Sequence, residues 1–200
     1  MDALDSLRGE KGESGKTRDT VPDYLELILF TGLRRGEAAR LEWSSVDLQN
    51  KVFTVTDTKN HLPLTLPMSE RVYEIFSRRK DASRGSEFVF PGGGQAGYLQ
   101  EPKYQTKKIT EISSVQFSVH DLRRTFATMA ESLNIYGYLL KKLLNHKQGN
   151  DVTSGYIVHD VERLRGPMEA IATAILTRAG RKGGADVLPF RKAATSGVDN

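Results

Sequence analysis

One stretch of this chain is patterned for strands in a sequence otherwise patterned for helices, and that imbalance limits the fold. "KVFTVTD" (Lys51–Asp57) is β-branched and aromatic, "TKNHLP" is a turn, and "LTLP" (Leu64–Pro67) is a second short strand-like run. Residues 51–67 are therefore expected to form a small hairpin or part of a three-stranded sheet. Helical patterns surround it. They run over Pro22–Phe30, restart at Arg34 after a break at Gly32, and continue from the Ser69 cap through "ERVYEIFSRRK". Further helices are expected at Pro102–Ile112, His120–Asn134, Tyr136–Leu144 and Gly166–Arg178. The fold class is α+β: a mainly helical domain with a small antiparallel sheet of about three strands.

Two segments punctuate this pattern. "EFVFPGGGQAG" (Glu87–Gly97) reads as an extended piece running into a Gly-rich loop. It lacks a GK[ST] ending and opens no βαβ unit, which favours a surface loop over a phosphate cradle. "ADVLPF" (Ala185–Phe190) is a candidate terminal strand. Residues 1–20 are rich in charge, Gly and Ser and show no apolar period, so they read as a flexible lead-in or linker stump, with order beginning near Pro22. That divides the chain into a lead-in (1–20), one domain (21–180) and a tail (181–200).

Composition narrows the function classes. The 200 residues are 38% hydrophobic, enough for one domain with a core of its own. With no cysteine, disulfides and thiolate metal sites are excluded and a reducing compartment, the cytoplasm, fits. No run approaches the roughly 20 apolar residues that span a bilayer. A net charge of +4 and a pI near 9.2 permit a polyanionic partner without requiring one.

The chemistry is concentrated in polar positions at helix ends. In "SVHDLRRTFATMA", Leu122, Phe126, Met129 and Leu133 share one stripe at about 100° per residue. His120 lies nearly opposite, and Arg123 stands one turn on, at the stripe's edge. A helix N-terminus already favours an anion, and a His and an Arg there add donors. Two readings fit these residues: an oxyanion or phosphate site, or a solvated helix start with Asp121 and Arg124 as surface charges. In "TGLRRGEAARLEW", Arg34, Glu37, Ala38 and Leu41 share a face, so Arg34 is expected to be partly buried with Glu37 as its partner. It either grips an anion or forms an internal ion pair. Lys59 lies in the hairpin turn, as a solvated charge or a proton donor swinging into a groove. His146 ends a helix, and Tyr156 follows ten residues on in "VTSGY", either packed or reaching out as a free phenol. A metal site built on His120, His146 and His159 matches no ligand spacing and has no carboxylate cluster to complete it.

Taken in order, these boxes resemble the catalytic domain of the tyrosine recombinases, the phage-integrase family. "TGLRRGE" carries Arg34, "TKN" carries Lys59, "HDLRRTFAT" carries His120 and Arg123, "LNH" carries His146, and "VTSGY" carries Tyr156. The resemblance covers about residues 22–160. Two departures stand out: the N-terminal DNA-clamping domain usual in the family is not in this sequence, and Asn145 stands where the third box commonly has Gly. The resemblance implies metal-independent, cofactor-free cutting and rejoining of double-stranded DNA at attachment or recombination sites. Tyr156 would be the nucleophile, Arg34 and Arg123 the phosphate clamps, and Lys59 the general acid. His120 and His146 would assist at the phosphate, with Glu37 and Asp121 orienting arginine and histidine behind them. It also implies a homotetramer on DNA, with a monomer allowed in its absence. A type IB topoisomerase-like strand transferase and a non-catalytic DNA-binding regulator share the fold and stand as alternatives. Beyond Tyr156, Met168, Ile171, Ala172 and Ile175 repeat at helical spacing after a Gly166–Pro167 helix start. Either that helix packs on its own domain, or it, or the "ADVLPF" strand, is exchanged with a neighbouring subunit.

Overall fold

A helix that is apolar all round belongs at the centre of a domain, and "VPDYLELILF" supplies one. In the computed structural model, which describes residues 1–8, 19–58, 62–83, 85–135, 137–146 and 161–181, this helix is α2 (Thr20–Thr31), with every residue from Val21 to Thr31 buried. Around it pack α3 (Arg35–Ala39), α4 (Glu70–Ala82), α6 (Val119–Ser132) and α8 (Glu162–Arg178). α5 (Lys103–Ser113) and the short α7 (Tyr138–Leu143) lie further out. Ser69 caps α4 as expected, its hydroxyl accepting from the Val72 amide.

The sheet has three antiparallel strands in sequential order: β1 (Val46–Asp47), β2 (Val52–Val55) and β3 (Leu64–Pro67). Phe53 pairs with Leu66 and Val55 with Leu64, and all four are buried, whereas Thr54 and Thr65 turn away and their hydroxyls bond each other at 3.0 Å. This is the period of two expected of a sheet covered on one face. Phe53 carries the sheet into the core through Phe76 (ring centroids 5.2 Å apart), which meets Trp43 edge-on. The Gly-rich stretch closes on itself: Gly92 and Gly97 are hydrogen-bonded, and a Cβ on Gly92 would fall 2.1 Å from the Tyr98 carbonyl oxygen. The glycines there serve a tight loop. The segment before it forms no strand, only a single bridge from Phe88 to Glu42.

Two expectations change. Residues 1–8 are not a loose lead-in. Asp2–Asp5 form a helical turn, α1, with Ala3, Leu4 and Leu7 buried, and Arg8 reaches Asp23 at 2.9 Å and Glu26 at 3.1 Å. Local composition gave no sign of this because the partners lie on α2. Second, the last helix begins at Glu162, so Pro167 sits in its second turn rather than at its start. In the single chain Met168, Ile171, Ala172 and Ile175 are buried as α8 packs on α2, α6 and β3, the first of the two arrangements the sequence left open. "ADVLPF" lies outside the described residues.

The buried ends of α2 are not all apolar. Asp23 and Glu26 are fully buried, and α4 answers them: Arg78 meets Asp23 at 2.7 Å and Arg71 meets Glu26 at 2.9 Å. With Arg8, these arginines saturate both carboxylates, as a buried charge requires.

Candidate active site

Two helix N-termini converge on a cleft of about 760 Å³, and the end of the short α7 meets Arg123, one of its lining residues. Arg34 stands just ahead of α3 in extended conformation, and Glu37 holds it there twice: its carboxylate accepts from the Arg34 backbone N–H at 2.9 Å and from Nη1 at 2.8 Å. Glu37 is buried while the Arg34 side chain is about a quarter exposed, 27%, so the guanidinium is fixed from behind and open in front. That is the partly buried pair expected from the spacing.

Arg123 is more deeply placed than its position at the edge of the stripe suggested, at 7% exposure. Among the described residues no carboxylate bonds it. Nη1 donates to the Gly32 carbonyl at the end of α2, and Nη2 donates to the Leu144 carbonyl at the end of α7, at 2.8 Å. Nη2 also lies 3.2 Å from His146 Nε2. Arginine only donates, so Nε2 accepts and the neutral ring carries its proton on Nδ1. Burial, opposed only by Glu37 and reinforced by neighbouring Arg34, brings the Arg123 guanidinium down to about 10. Partial desolvation, then Arg123 and Arg34, hold His146 below the ordinary histidine range.

His120 is the second residue of α6, exposed and lining the same cleft as Arg34 and Arg123. Asp121 does not orient it or Arg123. Its carboxylate accepts from the Ser118 amide at 2.8 Å and hydroxyl at 2.6 Å and pairs with Arg124 at 3.0 Å. The Ser118 bonds keep it well below the usual carboxylate range. Three residues apart at a helix start, Ser118 and Asp121 are a capping pair, so Asp121 fixes the helix end on which His120 stands. His146 follows Asn145, whose φ of +48° lies in the left-handed region. Asn tolerates that region better than other side chains, so a box that commonly has Gly accepts Asn here. Lys59, Tyr156 and His159 lie outside the described residues.

The sequence reading missed the far wall of the cleft. Lys103, Thr106, Lys107 and Thr110 of α5 line it, and Arg35 closes it through an ion pair with Glu101 at 3.1 Å. A helical wheel shows those four positions as one polar stripe, which was the available signal. The carbonyl ligands of Arg123 left no sequence signal, because any residue offers a carbonyl.

The fold is a helical domain with a three-stranded sheet that presents two arginines and two histidines at neighbouring helix ends. Comparison places it: residues 3–163 match the phage integrase family, and the chain belongs to that family. It is 29% identical over 161 residues to the prophage integrase IntF of Escherichia coli K12, a match covering 78% of this chain and 34% of that protein. In fold it is similar to the integrase of mycobacterium phage Brujita (TM-score 0.62, 22% identity, covering 98% of this chain and 58% of that one). It is also similar to the XerH site-specific recombinase, solved before cleavage on its difH substrate (TM-score 0.58, 19% identity, 82% and 49% covered). The chain spans between about a quarter and a half of the length of the curated relatives it matches.

Proposed function

We propose that this chain is the catalytic domain of a site-specific recombinase or integrase that cuts and rejoins DNA through a 3′-phosphotyrosine intermediate. The observation that carries this reading is the cluster of Arg34, His120 and Arg123 around one cleft, with His146 against Arg123 and, among the described residues, no carboxylate bonded to Arg123. In the reaction, the Tyr156 oxygen attacks the scissile phosphorus, the bond to the 5′-oxygen breaks, and the 5′-hydroxyl leaves with a proton from Lys59. Arg34 and Arg123 hold the two non-bridging oxygens and stabilise the charge of the transition state. His120 bonds the phosphate and helps take the tyrosine proton. His146 stands ready as a donor through Nδ1–H, or through Nε2 once an anion lets it take up a proton. The phosphodiester energy is kept in the tyrosine ester, so rejoining needs no nucleotide cofactor, and the cations supply the charge a metal provides elsewhere.

The partner is double-stranded DNA carrying an attachment or recombination site, as the XerH structure on difH supports by analogy. On it four protomers assemble around two duplexes, and the protein works in the cytoplasm. Among the described residues no helix is long and apolar enough to cross a membrane. The test is incubation with a nicked suicide duplex carrying candidate attachment sequence. A covalent protein–DNA band that survives denaturation and excess EDTA is expected. Binding without the band points to a regulator, relaxation of supercoils without site preference to a topoisomerase, and cleavage abolished by EDTA and restored by Mg²⁺ to a metallonuclease.

A further inference from the structure

α2 ends at Gly32, whose φ of +67° lies in the left-handed region. A glycine there is an ordinary helix stop. What distinguishes Gly32 is what crowds it: a Cβ at this position would lie 2.6 Å from Phe126 Cδ1 and 2.9 Å from Leu144 Cδ2, closer than carbons approach. α6, through Phe126, and the end of α7, through Leu144, both close on bare backbone. The atoms meeting here are those that hold the site. The Gly32 carbonyl accepts from Arg123 Nη1, and the Leu144 carbonyl accepts from Nη2. The contact between the Leu144 side chain and Gly32 therefore sets where the Leu144 carbonyl stands, where Nη2 points, and where His146 meets it. Two helix C-termini turn their partial negative charge on one guanidinium.

We propose that Gly32 is a positioning residue for the Arg123–His146 pair: its missing side chain lets α6 and the α7 terminus close on the end of α2, and its carbonyl and that of Leu144 then fix the guanidinium. Its catalytic meaning rests on the recombinase reading, but the geometry is tested without DNA.

The experiment is an NMR titration of the His146 ring in the whole chain, with the resonance assigned by its loss in His146→Gln. In the parent protein His146 titrates below an ordinary histidine, because burial and the Arg123 and Arg34 cations oppose its proton. Arg123→Ala removes one cation and moves the titration up. Gly32→Ala is expected to displace Arg123 and move it up in the same direction, and the double variant is expected to go no further than Arg123→Ala alone. Leu144→Phe crowds the same contact from the other side without straining the backbone, and must shift the titration the same way if Gly32→Ala does not fold. A folded Gly32→Ala or Leu144→Phe protein with a lowered melting temperature and an unmoved His146 titration makes Gly32 a packing residue and overturns the proposal. The expected shifts in a protein that forms no covalent DNA complex uphold the positioning role and sink only the recombinase reading.

Discussion

The two ends of α2 hold two groups of arginines, and they differ in what answers the charge. Near its start, Arg8, Arg71 and Arg78 meet the buried carboxylates of Asp23 and Glu26 in close ion pairs. Near its end, Arg123 meets the carbonyls of Gly32 and Leu144 and the neutral ring of His146, while Arg34, among the described residues, is paired with Glu37 alone. Carbonyl oxygens orient a guanidinium without neutralising it. The first group is therefore closed and serves stability. The second is held rigidly yet keeps an unmet demand for an anion, which is what a phosphate-binding site requires.

The largest way to break this comparison is at the nucleophile. Tyr156→Phe is expected to abolish covalent complex on a suicide duplex while binding is retained; an adduct from that variant would move the nucleophile to another tyrosine such as Tyr138. Next comes the closed group. Asp23→Ala takes the ion-pair partner from Arg78 and leaves Arg8 with Glu26 and Asp5; loss of one partner of a buried pair costs about 3–5 kcal/mol, or about 10 °C in melting temperature for a domain of this size. Its cleavage rate per folded molecule should hold. A rate loss larger than the folded fraction explains would mean the two ends of α2 are coupled.

Arg123→Ala should show the opposite split. Cleavage falls by roughly 10²–10³-fold, the typical cost of losing one transition-state donor, measured as the rate of adduct formation. Stability falls less, by about 1–3 kcal/mol for two stranded carbonyls.

The pH response sharpens the contrast further. His146 has a depressed folded value, so as pH falls through the ordinary histidine value, near 6.5, the unfolded chain takes up a proton that the folded site resists. Free protein should lose stability as pH falls through that value, and His146→Gln should flatten the part due to this ring. Millimolar sulfate should reduce the loss, because an anion between Arg34 and Arg123 lets His146 keep its proton; a sulfate-insensitive melting curve would mean the cleft has no anion site. The smallest effect belongs to Arg8→Ala. Asp23 keeps Arg78 and Glu26 keeps Arg71, so about 1 kcal/mol is expected by thermal melting, with docking of residues 1–8 loosened.

Some of this was legible residue by residue. Capping residues mark helix starts because the unpaired amides of a first turn must be satisfied locally, so Ser69 could be placed from sequence. Alternation of Phe53 and Val55 with Thr54 fixed the covered face of the sheet, and the spacing of Arg34 and Glu37 gave their pairing outright. The order of the boxes was enough to place the chain in its family. Tertiary structure alone decided the rest. Arg8, Arg71 and Arg78 look like surface charges in their own segments. They are made structural by carboxylates 15 to 55 residues away, whose burial no local period records. Asp121 is expected to orient histidine behind the phosphate and instead caps its own helix through the short local bonds to Ser118. The grip on Arg123 comes from two carbonyls, 21 and 91 residues distant. Periodicity tells which face of an element avoids water. What a buried charge touches depends on backbone atoms every residue carries, and only the folded chain decides which of them arrive.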